Sequence, residues 1–171
     1  MRLFIAIIFN NDTRSRLLAL QDELRSCSTR GAFVLPDNIH LTLVFLGECN
    51  ERQTDDVRQV LNETRFDQFD IHVDSIGRFK RDGGDLWWAG VRESKYLLDL
   101  QRSLSDKLLR SGFDIDRKKY KPHITLARKV ITNMVPNQIE PFGQNISRID
   151  LMKSEHLEGV LTYTPIHWCS T

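Results

Sequence analysis

Two short stretches of this chain repeat one another. Asn38-Ile39-His40-Leu41-Thr42-Leu43 returns as Lys121-Pro122-His123-Ile124-Thr125-Leu126, each a histidine followed by an aliphatic residue, threonine and leucine. From average composition a given histidine is followed by such a trio about once in 1,000. Two such sites among five histidines then arise by chance on the order of 10⁻⁵. Side chains alternate along a strand, so His40 and Thr42 share one face while Leu41 and Leu43 point to the other, and His123 and Thr125 behave alike. Two such strands, related by a pseudo-twofold, would set two imidazoles and two hydroxyls around one cleft. Imidazole titrates near pH 6.5, so one ring can be neutral while its partner is charged. The neutral ring accepts a proton from water, the charged ring gives one to a leaving oxygen, and the threonine hydroxyls donate to non-bridging oxygens as charge builds there. That set suits a phosphodiester and needs no metal.

Other readings of the same residues are blander. A single histidine on a strand is usually structural or exposed; His72, His156 and His167 lie in no repeat and are read that way. Zinc at His40 and His123 is disfavoured because threonine is a poor ligand and no cysteine or carboxylate recurs in register. The threonines also suit a strand simply as β-formers. Arg128 breaks the symmetry, because the matching place after His40 is Phe45. Strict alternation would put Arg128 on the face opposite His123, where an unpaired guanidinium would be costly. We therefore expect the strand to twist, bulge or end near Ala127, or the side chain to curl round its edge, bringing the guanidinium to phosphate or base. The competing reading is a surface arginine at a strand end. Lys118, Lys119 and Lys121 just before the second motif are candidates for upstream phosphates, with a solvated loop as the alternative.

The elements that must hold these groups are legible in outline. Leu3 to Phe9 reads as a buried first strand. Asn11-Asp12 can cap a helix carrying Leu17, Leu20 and Leu24. Phe33–Leu35 and Ile39–Leu46 read as strands around a Pro36-Asp37-Asn38 turn, and Val57, Val60 and Leu61 mark a short helix. Phe69–Phe79 and Leu86–Val91 read as a hairpin through Arg81-Asp82-Gly83-Gly84. Leu97, Leu100, Leu104 and Leu108 make a helix closed by Gly112. A loop to Lys121 precedes three strands, near Pro122–Val130, Ile146–His156 and Val160–Trp168. The pattern is α+β rather than an alternating parallel-sheet fold.

Composition narrows the class. The 171 residues suit one domain, 40% hydrophobic and 27% charged, with net charge +1. Without a global basic field, a long polyanion would not be held by bulk electrostatics, although a nucleic-acid end needs only a local patch. Cys27, Cys49 and Cys169 match no zinc spacing and no disulfide framework, so cytoplasm is the simplest compartment. The N-terminal apolar run is too short for a signal peptide, and no run approaches the ~18 apolar residues of a membrane helix.

Both motifs and their flanks, Pro36 through Glu48 and Pro122 through Arg128, together with Arg2–Ile7, Tyr163-Thr164-Pro165 and Trp168, resemble the two-histidine (2H) phosphoesterase superfamily. Within it they resemble the RNA 2′,3′-cyclic phosphodiesterase, or 2′-5′ RNA ligase, family. The resemblance covers nearly the whole chain, except Arg78–Asp85, which does not align clearly. It implies one bilobal catalytic domain over 1–171, with two pseudo-symmetric halves of antiparallel sheet, helices outside and a central cleft. It implies hydrolysis of RNA-terminal 2′,3′-cyclic phosphate to a 2′-phosphate without metal or cofactor, and it allows reversible 2′-5′ joining of RNA halves. Expected partners are RNA 3′ ends bearing the cyclic phosphate or small cyclic nucleotides, with no membrane or protein partner. It suggests His40 as general acid and His123 as general base, an order the symmetric motifs cannot supply. Phe4 and Tyr163 are candidates to stack on the terminal base, against a reading of Phe4 as core and Tyr163 as half-buried. Relatives acting on 2′-5′ oligonucleotides or ADP-ribose cyclic phosphate, and a non-catalytic RNA-end binding module, are the alternatives.

Overall fold

The computed structural model describes residues 1–171. Nine strands and three helices follow in the order β1 (Arg2–Ile8), α1 (Asn11–Ser26), β2 (Ser28–Phe33), β3 (His40–Glu48), α2 (Glu51–Asn62), β4 (Phe69–Phe79), β5 (Asp85–Val91), α3 (Lys95–Arg110), β6 (His123–Thr132), β7 (Asn137–Ile146), β8 (Arg148–Leu157) and β9 (Val160–Ser170). They form two sheets, β3-β1-β8-β9 and β2-β6-β5-β4-β7, with every pairing antiparallel. Setting β2 aside, the sheets correspond in order, β3 answering β6 and β1 answering β5. The two histidine strands thus occupy equivalent places. This is the α+β class that the element pattern gave, in the two related antiparallel halves that the family resemblance implied.

Local chemistry explains the helices. Asn10, rather than Asn11-Asp12, caps α1: its side chain accepts from the Thr13 N–H. Asn50 and Gln53 close a reciprocal capping box on α2. Ser94 caps α3, whose Leu97, Leu100, Leu104 and Leu108 are all buried, as their spacing required. The chain leaves α3 through Gly112, and the Phe113 N–H returns to the Leu108 carbonyl.

The helices tie the halves together. α1 packs on β2, β6 and β7 of the five-stranded sheet, although it follows β1 of the other, while α3, which follows β5, reaches back to β3. One core cluster of 35 buried residues runs through both sheets, and Gln21 on α1, 2% exposed, donates to the carbonyls of Val34 and Leu126. A buried amide that satisfies two carbonyls is expensive to lose, and Leu126 lies inside the second motif.

Two differences from the sequence reading have physical causes. The strand beside the first motif is Ser28–Phe33 and ends where Phe33–Leu35 was expected to begin. Its burial is slight because it is an edge strand on β6, so no alternation marks it. β7 was missed altogether: Asn137, Gln138, Pro141 and Gly143 read as loop, and an edge position tolerates them.

Both histidine strands are bulged in the same place. Ala6 pairs with Thr42 but Ile5 with Val44, so Leu43 is an extra residue in β3. Trp88 pairs with Thr125 but Trp87 with Ala127, so Leu126 is the extra residue in β6. A bulge of this kind reverses alternation. Val44 and Ala127 turn into the core at 3% and 0% exposure, and Phe45 and Arg128 emerge on the histidines' side. Of the alternatives expected near Ala127 (a twist, a bulge, a strand end or a curled side chain), the bulge is the one present. β6 takes up one more residue just beyond, where Ala127 pairs with Trp87 and Val130 with Asp85 and Lys129 adopts φ 53°.

The β4–β5 turn is built against that second irregularity. A Cβ on Gly84 would lie 2.5 Å from the Lys129 carbonyl carbon, at φ +124°, whereas Gly83, at φ +77°, faces open space. Gly83→Ala should therefore cost only about 1 kcal/mol, the backbone preference alone. Gly84→Ala should cost at least about 2 kcal/mol, because the Lys129 bulge must also give way. Chemical denaturation of the two variants checks this, and equal losses would contradict the close approach.

Candidate active site

β3 and β6 abut, and their histidines come within electrostatic reach of one another. Each ring is oriented in the same way. His40 Nδ1 lies 2.7 Å from the Asn38 carbonyl, and His123 Nδ1 lies 2.6 Å from the Lys121 carbonyl. A carbonyl only accepts, so each Nδ1 carries a proton and each Nε2 is left for chemistry. His40 Nε2 is 2.9 Å from Thr42 Oγ1. Thr125 stands opposite Trp88 on the same face as His123.

The surroundings hold these groups in place. The Asn38 amide, 6% exposed, donates to the Leu161 carbonyl and accepts from the Tyr163 N–H. It thereby pins the start of β9 beside the residue that orients His40. The Tyr120 hydroxyl donates to the Thr42 carbonyl at 2.8 Å, and burial pushes its phenol far above the usual range, so it remains a donor. Sequence reasoning missed both residues. Asn38 stands at the head of the first repeat, where the second has Lys121, and Tyr120 lies outside both, so only long-range contacts give the two residues meaning.

Each imidazole also has an aromatic wall. His40 meets Tyr163 edge-on at 5.2 Å and Phe4 at 4.8 Å. His123 meets Phe79 edge-on at 5.2 Å and Trp88 at 6.4 Å. Phe79 shares parity with the buried Phe69, Ile71 and Val73, so alternation alone consigns it to the core. A bulge at Asp74, where Val73 pairs with Val91 but Ser75 with Gly90, turns it toward His123. Trp88 crosses β4 where a Cβ on Gly77 would lie 2.3 Å from the indole ring. The Arg78–Asp85 segment that resists alignment thus begins beside the second histidine, with an Arg78–Asp85 ion pair at 3.1 Å.

The expected base-stacking residues differ from one another. Tyr163 is half-buried and keeps exposed surface. Phe4 is only 4% exposed, packed in a satellite cluster with Ala6 and Met152, and its ring is flanked by His40 and Tyr163. A ring with almost no free area offers a base little, so its burial fits the reading of Phe4 as core, and the ring backs His40. The exposed aromatic on that face is Phe45, directly across from Phe4 and 51% exposed, with the Arg2 guanidinium 5.2 Å from its ring.

Electrostatics favour neutral rings in the free protein. Burial pushes the His40 imidazole below its ordinary value; the Asn38 hydrogen bond opposes this, and the charges of Arg128 and His123 reinforce it. Burial likewise lowers His123, opposed by the Lys121 carbonyl and reinforced by the charges of Lys121 and Arg128. Arg128 is therefore exposed yet near both imidazoles, on their side of the sheet. Among the other histidines, His72 and His156 are exposed, and His167 Nε2 is 2.8 Å from Asn62 Oδ1. No helix is long and apolar enough to cross a membrane.

Residues 14–156 match the family described as the 2′-5′ RNA ligase superfamily. The RNA 2′,3′-cyclic phosphodiesterase of Archaeoglobus fulgidus is 36% identical over 129 residues, 75% of this chain and 72% of that one. The crystal structure of TT0787 from Thermus thermophilus superposes with a TM-score of 0.85 at 28% identity, covering 99% of this chain and 97% of that one. Escherichia coli LigT, crystallised with 3′-AMP, superposes with a TM-score of 0.82 at 25% identity over 99% and 96% of the two chains. With its duplicated histidine strands and this breadth of similarity, the chain belongs to the 2′-5′ RNA ligase superfamily of two-histidine phosphoesterases.

Proposed function

We propose that this protein hydrolyses the 2′,3′-cyclic phosphate of RNA 3′ ends to a 2′-phosphate, with His40 and His123 as acid and base and no metal. The observation that carries the reading is the matched pair of imidazoles, each fixed by an Nδ1–H bond to the carbonyl two residues back. Both keep Nε2 for chemistry on abutting strands, with Arg128 near both. The curated relative from Archaeoglobus fulgidus is named for this activity.

The step balances without a cofactor. Water attacks phosphorus as His123 Nε2 removes its proton; the bond to the 3′-oxygen breaks as His40 Nε2–H protonates that oxygen. The products are a 2′-phosphate and a free 3′-hydroxyl. Thr42 and Thr125 donate to the non-bridging oxygens, and the Arg128 fork holds the phosphate by charge. Tyr163 and Phe45 offer surface to the terminal base. The second aromatic wall, Phe79 and Trp88, favours one further reading: a 5′-hydroxyl of another RNA takes the place of water, and the same proton transfers give a 2′-5′ linkage.

The deciding experiment is incubation of the protein, in EDTA, with a short RNA ending in 2′,3′-cyclic phosphate, and assignment of the product phosphate. A 2′-phosphate is expected; a 3′-phosphate, or loss of turnover to EDTA, would refute the mechanism. His40→Ala and His123→Ala should each lower kcat by ~10²–10⁴-fold with circular dichroism unchanged. A substrate with a better leaving group should rescue only the His40 variant; rescue of the His123 variant would exchange the roles.

The pH dependence follows from the directions of the shifts. Both imidazoles lie below their ordinary value in the free protein. The bell of kcat/KM, which reports free protein, should therefore centre on the acid side of pH 6.5. A bound phosphate anion favours the charged rings, so the kcat bell should lie at higher pH. A flat kcat/KM between pH 5 and 8 would oppose a two-imidazole mechanism.

Arg128→Lys keeps the charge but loses the planar fork. It should lower kcat/KM by roughly tenfold, about the 1.4 kcal/mol of one charge-assisted hydrogen bond. Wild-type kinetics would return Arg128 to an ordinary surface role.

A further inference from the structure

A second repeat accompanies the histidine motifs. Leu17-Leu18-Ala19-Leu20-Gln21-Asp22-Glu23-Leu24 in α1 returns in α3 as Leu97-Leu98-Asp99-Leu100-Gln101-Arg102-Ser103-Leu104. The leucines are accounted for by the core, since Leu17, Leu24, Leu97, Leu100 and Leu104 are buried at helical spacing. A glutamine on the same face is not: Gln21 is 2% exposed and Gln101 is half-buried. Each reaches the same place in the other half. Gln21 Nε2 donates to the Leu126 carbonyl at 2.9 Å, and Gln101 Nε2 donates to the Leu43 carbonyl at 3.4 Å. Leu126 and Leu43 are the extra residues of the two bulges. The other amide proton is used as well, on the Val34 carbonyl at 2.8 Å and on Ser105 Oγ at 3.0 Å. An extra residue has no register partner, and a buried carbonyl without a donor is costly, so help must come from outside the sheet. Each bulge has a second fastening too: the Tyr120 hydroxyl takes the Thr42 carbonyl, and the Val34 N–H takes the Leu126 carbonyl at 2.9 Å.

We propose that Gln21 and Gln101 are a matched pair of positioning residues, each fastening from its helix the bulge that turns Arg128 or Phe45 toward the cleft. The inference rests on the reaction proposed above and adds what holds two of its substrate-facing groups. The arrangement is crossed: α1 follows β1 but fastens β6, and α3 follows β5 but fastens β3. The physical need is one of register. A bulge is one residue in excess, and moving it along the strand by a few positions exchanges ladder bonds for ladder bonds. Every side chain it passes changes face. Moved beyond position 128, the bulge in β6 would turn Arg128 inward; moved beyond position 45, the bulge in β3 would do the same to Phe45. An amide donor fixed on a packed helix reaches one carbonyl and no other, so it selects the register in which the guanidinium and the ring face the histidines.

Gln21→Met and Gln101→Met remove the donor and keep most of the volume. Two measurements test the pair. Amide hydrogen exchange followed by NMR needs no turnover: Gln21→Met should lose protection at Ala127 and Arg128 and keep it at Val44 and Phe45, and Gln101→Met should do the reverse. Double-mutant cycles on a short RNA 2′,3′-cyclic phosphate then separate positioning from bulk stability. Gln21→Met should lower kcat/KM by roughly tenfold, the worth of one misdirected charge-assisted hydrogen bond, and by about twofold or less when Arg128→Ala is already present. Gln101→Met should raise KM by about fivefold, part of one base-stacking contact, and leave it unmoved in the Phe45→Ala background. In the exchanged combinations, Gln21→Met with Phe45→Ala and Gln101→Met with Arg128→Ala, the losses should multiply. Equal losses in every background overturn the proposal, because they show packing alone. Exchange that rises at both bulges in either variant, or at neither, overturns it too. If Gln21→Met does not fold, the Gln101 cycle decides, since Gln101 is half-buried and the neighbouring Thr42 carbonyl stays with Tyr120. Wild-type protein without turnover on the cyclic phosphate would refute the functional reading instead, and the exchange measurement would still decide the fastening.

Discussion

A histidine can serve as acid or base only if its ring is held and its tautomer fixed, and here one backbone bond does both. In each half the imidazole donates Nδ1–H to the carbonyl two residues back along its own strand. The bond is local, so it travels with the motif wherever the strand is placed. It is also demanding, because the carbonyl must point along the strand rather than into a ladder partner. That requires each histidine to be the first residue of its strand, just past a turn or loop, and both are. The 3-10 turn at Pro36–Asn38 and the Lys121-Pro122 approach are therefore parts of the site.

The bulge directly after each threonine is the second shared device. Without it, Phe45 and Arg128 would enter the core; with it, Leu43-Val44 and Leu126-Ala127 form consecutive buried pairs and the next side chain returns to the active face. The duplicated motif thus carries a duplicated backbone irregularity, and the two halves use it differently. One presents an aromatic ring and the other a guanidinium. In the proposed reaction the ring would face the base and the guanidinium the phosphate.

Rigidity comes from exchange between the halves. α1 covers the sheet that contains the second motif, α3 reaches the first, and the 35-residue core is continuous. Gln21 and Tyr120 each bind backbone of a motif strand from a distant part of the chain. Opening one half relative to the other would break these bonds and expose buried polar groups, which is costly. Such a frame suits catalysis in which two proton transfers must be aligned at once.

The sequence by itself determined a good deal, for reasons of short range. Strand alternation placed His40 with Thr42, and His123 with Thr125, on one face of each strand, leucine spacing produced α3, and the cost of burying an arginine called for an irregularity near Ala127 or a curled side chain. What depends on sheet geometry was hidden. Edge strands β2 and β7 carry little hydrophobic pattern, because half of their backbone faces solvent. Phe79 sits on the wrong parity until the Asp74 bulge turns it. Phe4 lies on the active face but under Tyr163 and His40, and no spacing reveals which of two residues on one face is covered. Asn38 and Tyr120 acquire their roles only when β9 and β3 arrive beside them. Periodicity encodes which face a side chain takes. Which neighbours meet it there is set by contacts between residues far apart in the chain, and those exist only once the two sheets have closed on a common core.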